Sequence, residues 1–455
     1  MIELNYSGGS ILIKNSDKNL IPGVIEYDER VGQYRSMGMN YRKIKDYLIS
    51  NGIDFKDNVF NDESYAFKYD VTLRPYQVSA LKKWMDSGYQ GTIVLPTAAG
   101  KSHIGIAAIE KLGVSSLIMV PTLDLVDQWR RNLGRIFGIE IGQIGGGEHE
   151  ERPITVSTYD SAYLMAEKYG NKFRLIIADE VHHLASERMK AIAEIFASPY
   201  RMGLTATYER TDGLEKDLEY VMGGKVFEMG YDELGEYISD YKIVRIPVEL
   251  TEEEEEEYQR LHSIFVNYLR KHRMTIRGPW DFEKFIRSSW NPEGREALVS
   301  WRRSRQIAFN ARGKVETVRY ILKEHSGEKA IIFSEDTETT YMISREFCVP
   351  AITYITGQKE RKKYLEMFRA GSVKVLAASR VLDEGVDVPD ASIAIILSGS
   401  GSARQFRQRL GRILRPGENK NALLYEVVSK ETSEYSTSRR RRKGVPDGTS
   451  NSQEV

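Results

Sequence analysis

Two stretches of this 455-residue chain repeat one pattern, a short apolar run followed by a helical segment, and that repetition restricts the fold more than any other feature. Between about residues 70 and 245 the runs include Gly91-Thr92-Ile93-Val94-Leu95, Ser116 to Val120, Ile154 to Ser157 and Leu175 to Ala178. Between 311 and 432 they are Ala330 to Phe333, Ile352 to Ile355, Val373 to Ala377 and Ile393 to Leu397. Unbroken apolar runs of this length suit strands buried on both faces, and the helices between them supply the crossovers a parallel sheet needs. The expected class is α/β, with two parallel sheets in tandem forming a cleft. Residues 1–69 form a mixed segment with a strand from Ser10 to Ile13 and a helix from Tyr41 to Ser50. Residues 246–310 form a charged helical insertion, and residues 433–455 a basic tail whose low apolar content predicts disorder.

A 41% apolar content is enough for real cores. No run approaches the length of a membrane span, and Met1 to Ser10 lacks the charged and apolar regions of a signal peptide. A single cysteine, Cys348, excludes an internal disulfide framework and suits a reducing interior, so a cytoplasmic location is expected. The 65 basic residues balance 65 acidic ones. Any attraction for nucleic acid must therefore come from local concentrations of charge.

Leu95-Pro96-Thr97-Ala98-Ala99-Gly100-Lys101-Ser102 joins the first apolar run to a helical period reaching Leu112. The full phosphate-loop pattern asks for glycine where Leu95 stands, which leaves Gly100-Lys101-Ser102 as the intact core. Such a tripeptide arises by accident in about one chain in five of this length. The context is stronger: N–H groups at a helix start, reached through a tight loop of small residues, can surround phosphate oxygens. In that arrangement Lys101 reaches the β and γ phosphates of a nucleotide and Ser102 holds Mg²⁺. Asp179 and Glu180 follow the run Leu175 to Ala178, at the strand end where open α/β sheets bind ligands. Asp179 suits a Mg²⁺ contact and Glu180 the base that polarises an attacking water. A helix start that merely favours acids would look the same. A zinc site built on His182 and His183 is disfavoured, since adjacent side chains point apart and no cysteine or further histidine lies near.

Further motifs follow in order: Leu73-Arg74-Pro75-Tyr76-Gln77, Val120-Pro121-Thr122, Ser157-Thr158-Tyr159, Thr205-Ala206-Thr207, Ile332-Phe333-Ser334, Asp383-Glu384-Gly385-Val386-Asp387 and Gln408-Arg409-Leu410-Gly411-Arg412-Ile413-Leu414-Arg415. With the phosphate loop and Asp179-Glu180-Val181-His182, the series resembles superfamily 2 helicases over about residues 70 to 425. Tyr27-Asp28-Glu29-Arg30-Val31-Gly32, Glu209-Arg210-Thr211-Asp212-Gly213 and the charged insertion make the chain similar to the XPB group of repair and transcription helicases, particularly its shorter archaeal members.

That resemblance implies two RecA-like domains (70–245 and 311–432), a damage-recognition-like domain (1–69) and a thumb-like insertion (246–310). It implies an ATP- and Mg²⁺-dependent DNA translocase or helicase acting on duplex, fork or bubble DNA in excision repair or transcription, nucleoid-associated, with a nuclease partner. Arg74 and Gln77 would lie at the adenine and Leu95 to Ser102 at the phosphates. Gly385, Asp387 and Gln408 would complete the nucleotide contacts, with Arg412 and Arg415 as arginine fingers. His182 would couple hydrolysis to Thr205 and Thr207. The group's Arg-Glu-Asp signature reads Arg210-Thr211-Asp212 here, which implies weaker strand separation.

Within the insertion, Thr251 and Glu254 predict a capping box with acids in the first turn. Beyond it, Arg270, Lys271, Arg273, Arg277, Lys284, Arg287, Arg295, Arg302, Arg303 and Arg305 interleave with Trp280, Phe285, Trp290 and Trp301. Cations beside rings suit a nucleic-acid surface, and a helical domain with a tryptophan core and basic exterior has the same composition. Trp280, Arg287 and Trp290, with Arg210 and Asp212, are the candidate DNA contacts. An RNA-remodelling helicase and a scaffold with an inactive ATPase are the alternatives. Intact Lys101, Glu180 and Arg412 count against the scaffold.

Overall fold

The computed structural model describes all residues except 17–19, 62, 69–71, 98, 210–212, 235, 236, 238–240, 277, 383–390, 400, 401, 412, 414–421 and 442–455. The chain divides into two compact units, the first essentially Met1–Gly235, the second Glu236–Glu384 with Val388–Val455. Among the described residues no helix is long and apolar enough to cross a membrane.

The first unit opens with β1 (Ile2–Ser7), β2 (Ser10–Lys14), β3 (Glu26–Asp28) and β4 (Gln33–Met37), followed by α1 (Tyr41–Ser50) and β5 (Phe55–Asp57). The sheet order is β3-β4-β2-β1-β5, with only β1 and β5 parallel. Tyr41, Ile44 and Leu48 fall on one face of α1 by helical spacing, and they pack over Ile2, Leu4, Ile11 and Ile13.

A second layer of the same unit runs α2 (Pro75–Asp86), β6 (Gln90–Val94), α3 (Lys101–Leu112), β7 (Ser116–Val120), α4 (Leu123–Phe137), β8 (Gly142–Gly145), β9 (Glu148–Glu150) and β10 (Ile154–Thr158). It continues through α5 (Tyr159–Leu164), α6 (Ala166–Tyr169), β11 (Leu175–Asp179), α7 (Glu187–Ile195), β12 (Tyr200–Thr205), α8 (Glu215–Met222), β13 (Lys225–Glu228) and α9 (Tyr231–Leu234). The sheet order is β13-β6-β12-β11-β7-β10-β8-β9, parallel except for the β8–β9 pair. Because β6, β12 and β11 are neighbours, their carboxyl ends bring Leu95, Pro96, Gly100, Thr205 and Asp179 to one edge. The small N-terminal sheet is fastened to this layer through backbone. Tyr6 Oη donates to Ile195 O at 3.2 Å, and Asn171 Nδ2 donates to Val59 O at 2.9 Å. Gly38 lies so close that a Cβ there would stand 2.0 Å from Ile195 O, so no side chain fits at this contact.

The second unit contains β14 (Tyr241–Val248), α10 (Glu252–Lys271), α11 (Pro279–Ser288), α12 (Pro292–Phe309), α13 (Arg312–Glu324), β15 (Ala330–Phe333), α14 (Thr337–Phe347) and β16 (Ala351–Ile352). Then follow α15 (Gln358–Ala370), β17 (Val375–Ala378), β18 (Ile393–Ile396), α16 (Ala403–Gly411), β19 (Ala422–Ser429) and α17 (Ser433–Arg441). All strands are parallel in the order β14-β19-β18-β15-β17-β16. The capping box forms at α10: Thr251 Oγ1 accepts from Glu254 N at 3.3 Å and Glu254 Oε2 from Thr251 N at 3.0 Å.

Three expectations need correction. Residues up to 245 were assigned to the first sheet, yet β14 pairs with β19 in the second, along the whole register from Tyr241↔Ala422 to Val248↔Ser429. The strand expected over Ile352 to Ile355 ends at Ile352, because Thr356 Oγ1 accepts from Thr353 N at 2.9 Å and closes a turn. The tail expected to be disordered from 433 begins with α17, which buries Glu434 and Arg441. Polar composition misleads here because those two charges are buried as ion pairs.

Candidate nucleotide site and nucleic-acid surface

The phosphate loop leaves β6 and enters α3 through Gly100, whose φ of +69° is left-handed. A Cβ at Gly100 would stand 2.7 Å from Gln77 Nε2, so glycine is needed both for the turn and for the approach. Gln77 is buried and fastens α2 to this loop. Its Oε1 accepts from Arg74 N at 2.9 Å, while Nε2 donates to Ala99 O at 3.1 Å and Gly100 O at 3.3 Å. Tyr76 Oη donates to the same Ala99 O at 2.8 Å. Lys101 Nζ bends back over the loop, donating to Leu95 O at 3.1 Å and Pro96 O at 3.4 Å. Among the described residues Thr97 Oγ1 is buried without a partner, and Ser102 is half-buried beside Lys101 at the helix start.

Asp179 ends β11 and is held from three sides. Trp129 Nε1 donates to Oδ2 at 2.9 Å, Glu180 N donates to Oδ1 at 3.1 Å, and Tyr159 Oη donates to its carbonyl at 2.8 Å. Burial, and then the neighbouring Glu180 charge, push its carboxyl up to about 6, against the Trp129 bond and the Lys101 cation. A buried carboxylate beside a second, partly buried one favours a bound divalent cation, which would offset both effects. With the half-buried Ser102 hydroxyl and the unpartnered Thr97 hydroxyl, these residues fit Mg²⁺ with a phosphate chain.

Glu180 adopts φ 54°, ψ 55°, a left-handed conformation costly for a non-glycine residue. The bend sets Glu180 Oε2 3.4 Å from Thr205 Oγ1 and 3.5 Å from His182 Nδ1. His182 is buried, with Nδ1 3.3 Å from Thr205 Oγ1. A base, an imidazole and a threonine hydroxyl thus converge, and Thr207 N donates to the same hydroxyl at 3.2 Å. Trp129 and Tyr159 hold Asp179 in place, and neither role was visible in the sequence. Tyr159 stood in a quoted motif without an assigned contact, and Trp129 lies 50 positions from its partner.

The structure brings Arg74, Gln77, Leu95, Pro96, Thr97, Ala99, Gly100, Lys101, Ser102, Asp179, Glu180 and His182 to one edge of the first unit. Gln408 lies buried on α16 of the second unit. Ala98, Arg210, Asp212, Gly385, Asp387, Arg412 and Arg415 lie outside the described residues.

In the insertion the aromatic residues divide into two sets. Trp301 packs with Phe265, Phe282 and Phe285, whereas Trp280 is 74% and Trp290 88% exposed. Arg287 is exposed and pairs with Glu283 at 2.6 Å. Trp290 borders a groove of about 550 Å³ lined also by Arg260, Ile264, Arg295, Val299 and Arg303.

Comparison with known proteins gives three matching family models. "Xeroderma pigmentosum group B helicase damage recognition domain" matches residues 4–59, "Type III restriction enzyme, res subunit" residues 70–210, and "ERCC3/RAD25/XPB C-terminal helicase" residues 297–449. The "DNA 3'-5' translocase XPB2" of Sulfurisphaera tokodaii is 42% identical over 97% of this chain and 100% of its own length. The chain belongs to the XPB family of superfamily 2 helicases. The "DNA 3'-5' helicase XPB" of Mycobacterium tuberculosis is 30% identical over 81% of this chain, which spans only 63% of that relative. The crystal structure of the Pyrococcus furiosus Hef helicase domain aligns with a TM-score of 0.55 at 18% identity, over 82% of this chain and 98% of that one. This last likeness bears on the fold alone, that of the RecA-like parallel-sheet helicase domains; the small N-terminal domain is the part matched by the damage recognition model.

Proposed function

We propose that the chain is an ATP-dependent DNA translocase or helicase of the XPB kind, which hydrolyses ATP between its two RecA-like domains and so moves along or opens duplex DNA in excision repair or transcription. The observation that carries this reading is the convergence of the phosphate loop, the Asp179-Glu180 pair and Thr205 on one sheet edge, in a chain of a family whose members are named for DNA translocation. Lys101 exchanges its two carbonyl contacts for the γ phosphate, and Glu180 accepts a proton from the attacking water. His182 and Thr205 register the change in Glu180 through the shared hydroxyl. Mg²⁺, held by Ser102 and Asp179, would neutralise charge on the phosphates. Arg412 and Arg415 from the second domain complete the site in this scheme. A nuclease partner and residence on the nucleoid, which the sequence resemblance implies, belong to the same proposal.

Steady-state ATP hydrolysis without nucleic acid, with single-stranded DNA, with duplex DNA and with RNA tests the reading. DNA is expected to stimulate turnover most. Equal rates in all four conditions would sink the motor, and greater stimulation by RNA would shift the substrate.

The insertion supplies the proposed DNA grip through Trp280, Arg287 and Trp290. Base stacking on an exposed ring is worth about 1–3 kcal/mol, so Trp290→Ala should raise the Kd for single-stranded DNA at least about fivefold. Because that ring is solvent-exposed, the melting temperature should not move. Anisotropy titration checks this, and an unchanged Kd would place the grip elsewhere.

A further inference from the structure

A buried ionic assembly in the second unit stands outside the motifs discussed so far and centres on α17. Near its start, Glu434 Oε2 accepts from Lys314 Nζ at 2.7 Å, and the same ammonium donates to Leu397 O at 2.5 Å. At its end, Arg441 Nε donates to Glu426 Oε1 on β19 at 2.5 Å, and Glu426 also faces Arg245 Nε at 3.4 Å. Lys314, Glu426, Glu434 and Arg441 are all 2% exposed or less. Yet Nη1 and Nη2 of Arg441 are buried without partners among the described residues.

The first of these, Nη1, lies against the segment that leads from β18 into α16. A Cβ at Gly399 would stand 2.8 Å from Arg441 Nη1 and 3.2 Å from Arg409 Nη1. Arg409 is itself buried on α16, donates Nη1 to Ser398 O at 3.1 Å and lies over the Phe333 ring. Two guanidinium groups therefore close on one glycine, next in space to the helix that carries Gln408. The other end of α17 is tied to the insertion. Ser433 N donates to Tyr258 Oη on α10 at 2.8 Å, and α17 packs against both α12 and α16. An apolar side chain would hold α17 in place at lower desolvation cost than an arginine with bare N–H groups. A tether alone does not account for Arg441.

We propose that Arg441 is a positioning residue: through Gly399 it sets α16 in step with the insertion, so that DNA held by the insertion raises ATP turnover. This rests on the functional reading above. Arg441→Lys keeps the pair with Glu426 but removes the groups at Gly399. Gly399→Ala keeps every charge and displaces the guanidinium groups instead, at a position whose φ lies outside the left-handed region. Each variant should lower DNA-stimulated kcat about fivefold or more, the lower end of ordinary coupling between sites. Basal hydrolysis, KM for ATP and Kd for DNA should stay at wild-type values. The double variant should lose no more than the worse single one, because both break the same contact.

DNA-stimulated rates equal to wild type in both variants would overturn the proposal, as would basal and stimulated rates falling together. Should Arg441→Lys fail to fold, Gly399→Ala decides alone. A wild-type chain with no DNA stimulation at all would instead refute the functional reading, a different result from variants that match a stimulated wild type.

Discussion

Lys101→Ala is expected to reduce ATP turnover by about 10²–10³-fold, the range seen when one preorganised group facing developing charge is removed. The fold should survive, because among the described residues the hydrogen bonds of Lys101 Nζ go to the carbonyls of Leu95 and Pro96 on its own loop, and a half-buried alanine leaves the helix start intact. Glu180→Gln separates binding from chemistry. The amide keeps the size of the side chain and its place near Thr205 but cannot accept the proton, so turnover falls by about 10²–10⁴-fold while nucleotide affinity holds. Phosphate release and fluorescent-nucleotide titration measure the two quantities. Turnover within tenfold of wild type in either variant would mean that hydrolysis happens elsewhere.

Arg201→Ala is expected to destabilise the first unit by about 3–5 kcal/mol, since each buried acceptor left unsatisfied costs about 1–3 kcal/mol. Arg201 is fully buried and, among the described residues, pairs with no carboxylate; its acceptors are backbone carbonyls. Nε donates to Ser198 O at 3.1 Å, Nη1 to Ala193 O at 2.8 Å and Val221 O at 2.7 Å, and Nη2 to Phe196 O at 2.7 Å. Ala193 and Val221 lie in the last turns of α7 and α8, where helix dipoles leave partial negative charge. One cation therefore satisfies the ends of two helices, and burial lowers its pKa to about 10. Alanine would strand four carbonyls in the interior. Arg201→Lys should be intermediate, since an ammonium cannot span all four. Urea unfolding followed by circular dichroism checks the order, and a loss below about 1 kcal/mol would show that water replaces the guanidinium without penalty.

The nucleotide edge was readable because its strands are buried on both faces, so β6 and β11 appear as unbroken apolar runs with loop chemistry at their ends. What holds the edge was not readable. Trp129 reaches Asp179 from α4 across a distance that no local pattern encodes, and the left-handed backbone of Glu180 leaves no mark on the residues around it. The partner of β14 lies about 180 residues away, so no local pattern could show that it belongs to the second sheet and not the first. α17 was hidden by composition: Ser433 to Arg441 has too few apolar residues to suggest burial, and its interior contacts are ionic.

The pairing of β14 with β19 also sets a timetable for synthesis. β14 leaves the ribosome before every other strand of its sheet, and its one neighbour is the last strand made. The first unit has all its strands before β14 appears, so it can fold while translation continues. β14 meanwhile waits through the insertion and four further strands with both edges unpaired. The second unit is thus the slow half of the molecule, and a ribosome stalled between residues 330 and 420 would present an exposed strand for aggregation or chaperone capture.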